Sequence, residues 1–195
     1  MKRIIGLLLC LCTVLGVCFA LTSCLPKVEV TYDENGIGYA KNDNSIVLGV
    51  KFDASGDSAE VTIPDEYNGT AVTSISGPTW PAFDCIPYGN DIIPYEGKIF
   101  DVDEELTFTL IFNIGKNLQR VFGVQGGDFY RETEDGHLIY YHVHYYYNCS
   151  DENETYFSKD GYLYDKIAYN GYYVDGVYYE NKKPVYGIYG FHNDN

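Results

Sequence analysis

Tyr130-Arg-Glu-Thr-Glu-Asp-Gly-His-Leu-Ile-Tyr140 sets aromatic residues on both sides of an Asp-Gly pair. The arrangement returns in Tyr156-Phe-Ser-Lys-Asp-Gly-Tyr-Leu-Tyr164 and in Tyr172-Tyr-Val-Asp-Gly-Val-Tyr-Tyr179. Glycine accepts a positive φ at no steric cost and aspartate tolerates one. Asp135-Gly136, Asp160-Gly161 and Asp175-Gly176 therefore each predict a tight turn between antiparallel strands. Flanking rings then pair across the strands, at roughly 0.2–1 kcal/mol per pair. Sixteen of the 21 tyrosines lie in residues 130–195, so the tyrosine excess belongs to this hairpin-forming part. Unequal glycine spacings rule out a strict array.

Upstream the period-two pattern continues. Val28, Val30 and Tyr32 share a face, and Asn35-Gly36 predicts a type I′ turn. Ser45 to Phe52 reads as a strand with Ile46, Leu48 and Val50 in step, followed by a polar loop over 53–58. Val61-Thr62-Ile63 is a short strand stopped by Pro64, Ala71 to Ile75 is another, and Leu106 to Ile114 is a strongly apolar one. Residues 76–98 hold Pro78, Pro81, Pro87 and Pro94 with the single Trp80, and read as a loop or covering segment. Beyond the amino terminus there is no long, capped stretch of helical period; Gly115 to Val121 is too short to stand alone. The expected fold class is mainly β.

Length and charge bound the rest. The 195 residues carry 28 acidic against 13 basic groups, a formal charge of −15. Such a balance excludes nucleic acid as a partner, because neutralising phosphates needs clustered Lys and Arg. It also opposes attraction to anionic headgroups.

Residues 1–23 have the form of a secretory leader. Lys2 and Arg3 form a positive start, Ile4 to Ala20 is apolar apart from Thr13, and Leu21-Thr22-Ser23-Cys24 follows at once. This ending resembles the lipobox of bacterial lipoproteins. The resemblance implies diacylglycerol on the Cys24 thiol and cleavage between Ser23 and Cys24. It also implies a body held to the membrane by lipid on the extracellular face, or at the outer membrane if the envelope is Gram-negative. Two or three acyl chains hold stably, at roughly 0.8 kcal/mol per buried CH₂, where one does not. Two other readings stand beside it: an uncleaved signal anchor over Ile4 to Thr22, and ordinary cleavage near Ala20. After cleavage, residues 24–27 are a lipidated tether and 28–195 the folded body. Cys85 and Cys149 are then the remaining free-standing cysteines, able either to form a disulfide or to stay as buried thiols.

Val61-Thr-Ile-Pro-Asp-Glu-Tyr-Asn-Gly-Thr-Ala-Val-Thr-Ser-Ile75, followed by Ala82-Phe83-Asp84-Cys85, resembles the leucine-rich repeat of BspA-like surface proteins. Ile114-Gly-Lys-Asn-Leu-Gln-Arg-Val121 is similar to the portion of such repeats that precedes a new strand. Asn153 to Lys166 resembles the insert these proteins carry between repeats. The resemblance implies a repeat-built β-solenoid displayed on a bacterial surface for adhesion and protein binding. With one full repeat legible, the expectation is a short, degenerate solenoid completed by the Tyr-rich hairpins.

Among candidate sites, His142-Val143-His144 puts two imidazoles on one strand face, a weak metal candidate without a third ligand nearby. Asp151, Glu152, Asn153 and Glu154 lack the spacing of a calcium loop and read as a solvated turn. Asn68, Asn148 and Asn153 fall in glycosylation-type triplets, read as chance in a bacterial chain. No Gly-x-Ser-x-Gly elbow, His-Glu-x-x-His or phosphate loop is present. No catalytic residue and no cofactor are therefore assigned. The expectation is a lipid-anchored, non-catalytic module that binds host or bacterial surface proteins or glycans. An envelope or glycan-acting hydrolase and a structural spacer are the alternatives.

Overall fold

The computed structural model describes residues 28–76, 83–95, 97–121, 127–169, 172–174 and 177–179. The leader, Ser23, Cys24 and the tether lie outside the described residues, as do Trp80 and the Asp175-Gly176 pair. In chain order the first strands are β1 (Val30–Tyr32), β2 (Ile37–Ala40), β3 (Asp43–Phe52) and β4 (Ser58–Ile63). The short strands β5 (Glu66–Tyr67), β6 (Thr70–Ala71), β7 (Ser74–Ile75), β8 (Asp84–Pro87) and β9 (Ile92–Pro94) follow. Next come β10 (Glu104–Ile114), β11 (Arg120–Val121), β12 (Phe129–Glu132) and β13 (Leu138–Cys149). The described chain ends with β14 (Tyr156–Lys159), β15 (Tyr162–Asp165), the one-turn helix α1 (Lys166–Tyr169), β16 (Tyr172–Val174) and β17 (Val177–Tyr179). The mainly β expectation holds.

Two sheets carry the body. One has the order β1-β2-β3-β7-β11, with β8 also pairing β3; the other runs β4-β10-β13-β12-β9. The first three strands form an antiparallel meander, whereas β3, β7 and β11 are mutually parallel in that order. On the second sheet β4, β10 and β13 are likewise parallel in chain order. Ile63 lies beside Ile114, which lies beside Cys149, and Ile75 lies beside Val121. Thus the 61–75 and 114–121 stretches lie against each other, strand beside strand. The β5–β6 hairpin, turned by Asn68 (φ 51°) and Gly69 (φ 75°), lengthens the first of them between Ile63 and Val72.

Inward side chains from both sheets make one core. On β10 the alternation is strict: Phe108, Leu110, Phe112 and Ile114 are buried. On β13 the inward set is Tyr141, Val143, Tyr145 and Tyr147. Phe52 from the first sheet meets Phe108 at 5.5 Å and Phe129 at 6.3 Å, so the aromatic cluster bridges the layers.

The structure changes several sequence expectations. On β3, Ile37 pairs with Val50 and Gly38 with Gly49, but Tyr39 pairs with Val47, which leaves Leu48 as the extra residue of a bulge. The bulge shifts the phase before it: Val47, Val50 and Phe52 join the main core cluster, Leu48 is buried beside it, and Ile46 is only half-buried. Asn35-Gly36 is not a two-residue turn. Only Gly36 has a positive φ, its N–H donates to the Asp33 carbonyl at 3.1 Å, and the Asp33 carboxylate accepts from the Asn35 and Ile37 N–H groups. This is the longer turn with a glycine bulge. Asp135-Gly136 repeats that pattern on Thr133, while Asp160-Gly161, with φ of 53° and 83°, is the two-residue form. The proline-rich segment contains β8 and β9, each with a proline at its last position, and β9 is an edge strand.

The acidic run at 151–154 is not simply a solvated turn. Asn153 is fully buried: its amide donates to the carbonyls of Gly115 (2.8 Å) and Leu118 (3.0 Å), and its oxygen accepts from the N–H groups of Thr155 (2.9 Å) and Tyr156 (2.7 Å). The loop it holds is also held from below, where the Asp65 carboxylate accepts from Lys116 N–H at 2.6 Å. A Cβ at Gly115 would stand 2.2 Å from that carboxylate oxygen, so a larger residue would have to displace the Asp65 side chain from the loop it holds.

Candidate binding surface

Strand alternation gives β13 an outer face of Tyr140, His142, His144, Tyr146 and Asn148. The parallel register with β10 places Glu105 beside Tyr140, Thr107 beside His142, Thr109 beside His144, Ile111 beside Tyr146 and Asn113 beside Asn148. At one end, Ile93, Tyr130, Tyr140 and Glu105 form a single cross-strand row over four strands. Tyr130 and Tyr140 stack at 4.7 Å, Tyr95 lies 6.1 Å from each, and Phe100 meets Tyr130 edge-on at 4.8 Å. The arrangement suits rings, whose offset and edge contacts add roughly 0.5–1.5 kcal/mol per pair beyond burial. Tyr130 is itself covered, but Tyr95 (42%) and Phe100 (38%) present open faces to solvent.

Polar ties hold the rings in place. Tyr130 donates its hydroxyl to the Lys98 carbonyl at 2.9 Å, which seats the 98–100 segment on the sheet. Tyr140 donates to Asp128 Oδ2 at 2.8 Å, while Asp128 Oδ1 accepts from Val143 N–H at 3.0 Å. Burial, and then the Asp128 carboxylate, push the Tyr140 hydroxyl well above its ordinary pKa and keep it a donor. At the other end of the strand, Tyr147 N–H donates to the Gly161 carbonyl and Cys149 N–H to Ser158 Oγ. The β14–β15 hairpin thus covers the strand edge past the point where β12 stops.

His142 and His144 share the outer face, as strand geometry requires, but they are not brought to a common ligand set. His142 Nε2 sits 3.3 Å from Glu105 and 4.5 Å ring to ring from Tyr140. Among the described residues no group of three or more His, Cys, Asp or Glu is placed to hold a metal ion.

Cys85 and Cys149 stand as free thiols in the structure, the second of the two arrangements open to them. They belong to different sheets and have separate partners. Cys85 accepts from the Tyr145 hydroxyl at 3.7 Å, and Cys149 donates to the Tyr156 carbonyl at 3.5 Å. Burial pushes the Cys85 thiol up to about 12 and the Cys149 thiol up to about 11. The thiolate is the nucleophile, so both are expected to alkylate far more slowly at pH 8 in the native chain than in denaturant. Peptide mapping after iodoacetamide measures the ratio; equal labelling in the two states refutes the burial described.

The triplet asparagines have three different settings. Asn68 turns the β5–β6 hairpin, Asn148 donates to Asn113 Oδ1 at 3.1 Å on the outer face, and Asn153 is buried. An open depression of about 510 Å³ beside the 151–154 run is lined by Lys116, Asn117, Gln119, Glu152, Glu154 and Thr155. The aromatic row was hidden in the sequence because tyrosines occupy both faces of β13, which erases the alternation that normally separates inside from outside. No protein-family model, curated protein or solved structure matches the chain. The surface is therefore read from its own geometry.

Proposed function

We infer that the chain is a lipid-anchored, non-catalytic binding module displayed on the outside of a bacterial cell. In this reading the two sheets are short coils of a degenerate leucine-rich-repeat-like solenoid. Support for the coils comes from the parallel order β3-β7-β11 on one sheet and β4-β10-β13 on the other. The stacking of Ile63 on Ile114 and of Ile75 on Val121 adds to it. Support for the anchor comes from Leu21-Thr22-Ser23-Cys24 after an apolar run. The observation that carries the binding role is the outward aromatic row, since exposed rings backed by a rigid sheet give contact area at low entropic cost.

The anchor is tested by metabolic labelling with palmitate. Wild type is expected to take up label and Cys24→Ala to lose it; equal labelling rejects the anchor. The binding role is tested by pull-down from extracellular material with wild type and Tyr95→Ala. Retention that depends on Tyr95 supports it, whereas a structural spacer retains nothing specific.

A further inference from the structure

Eight large hydrophobic side chains are exposed among the described residues, and Ile93, Tyr95, Ile99 and Phe100 supply half of them from one short stretch. That stretch rests on the outer face at its Tyr130–Tyr140 end. Carboxylates crowd the same end. Asp91 lies on the β9 side, Asp103 and Glu105 flank the start of β13, and Asp135 caps the β12–β13 turn. Cationic and imidazole groups stand among these acids: Arg131 meets Asp91 at 3.1 Å, His142 Nε2 lies 3.3 Å from Glu105, His137 lies 3.5 Å from Asp103 and 3.4 Å from Asp135, and Lys98 belongs to the stretch itself.

We propose that this aromatic end of the outer face docks a lysine- and arginine-rich segment of a partner protein. The proposal rests on the binding role inferred above and names the chemistry of the partner. Open Tyr faces attract ammonium and guanidinium groups through the ring quadrupole. The open Phe100 ring offers a second such face, and Ile93 and Ile99 cover the alkyl stems that such side chains lay along apolar surface. The carboxylate rim complements their charge, and the field of a chain at −15 steers cations in and turns anions away. A neutral glycan would stack on the rings but make no use of the rim's charge.

The test is fluorescence anisotropy of the full chain in neutral detergent with a labelled twelve-residue Lys/Arg/Ser peptide. A Glu/Ser peptide, a Gly/Ser peptide and a neutral glucose hexamer serve as comparison probes. The basic peptide is expected to bind, and the paired substitution Tyr95→Ala with Phe100→Ala to weaken it about tenfold, the sum of two cation–π contacts. Glu105→Gln is expected to weaken it less, and the distant triple substitution Asp151→Asn, Glu152→Gln, Glu154→Gln to leave it within about twofold, as screened remote charge should. Circular dichroism of each variant establishes that it is folded, and Tyr95→Ala alone replaces the pair if the pair is not. Equal loss in the distant triple variant shows attraction to net charge alone and overturns the proposal. Aromatic variants that bind as wild type, or a preference for the glucose hexamer, overturn it as well. Retention of extracellular material together with no peptide binding overturns this proposal and leaves the binding role standing.

Discussion

Asn153→Asp is expected to be the most damaging conservative substitution in the chain, lowering the melting temperature by about 10 °C or more. The change is nearly isosteric, so no cavity forms. It exchanges a two-donor amide for an acceptor that faces two carbonyls, those of Gly115 and Leu118, at a fully buried position. Each buried group left without its partner costs about 1–3 kcal/mol, and an unpaired buried charge costs more. A total of about 4 kcal/mol, at about 2–4 °C per kcal/mol for a domain of this size, gives the shift. The sign with pH follows from the donor. A protonated carboxyl restores one hydrogen bond, so the deficit relative to wild type should narrow as pH falls towards 4 and widen again above it. Thermal melts of both proteins at pH 4 and pH 8 check this. A deficit below about 1 kcal/mol at pH 8, less than one unmade buried hydrogen bond, would show that Asn153 does not tie the 115–118 loop to the start of β14.

Phe108→Ala should cost about 3–5 kcal/mol, as truncation of a buried aromatic does when the surroundings relax only in part. Its ring is fully buried and meets Phe52, Phe129 and Tyr141 at 5.5, 5.8 and 6.5 Å, so truncation strips packing from both sheets at once. Phe108→Leu keeps most of the volume and should cost about 1 kcal/mol. Urea titration of the three proteins measures the series. Equal losses for Leu and Ala would mean that the site collapses around the smaller side chain and that the ring does not join the layers.

How much of this was legible depends on how local the signal is. The strongly apolar run Leu106 to Ile114 reads directly as β10, which buries alternate residues from Phe108 to Ile114. The Asp-Gly pairs announce turns, and Asp160-Gly161 adopts the form expected of it. Pairing partners were out of reach: nothing in Val61 to Ile63 says that β10, half a hundred residues on, lies beside it in parallel. The bulge at Leu48 shifts the phase of β3, and the Gly49 beside it does not by itself say that a strand of this pattern slips by one residue. Asn153 sits in an acidic, turn-like run, and its burial comes from a loop that approaches from elsewhere in the chain. The aromatic row needed the register of four strands, and β12 and β13 carry rings on both of their faces.

Parallel pairing has a kinetic cost. Thr109 on β10 pairs with Ser58, 51 residues earlier, and Asn113 with Asn148, 35 residues later. Long loops must close before either ladder rewards them, a penalty that raises contact order and slows folding. Until both neighbours arrive, Leu106-Thr-Phe-Thr-Leu-Ile-Phe-Asn-Ile114 is an unpaired run of high β-propensity with no charge and no proline, the composition that aggregates. A chaperone that recognises extended apolar segments would find its best grip there, and refolding yield should fall with protein concentration for that reason.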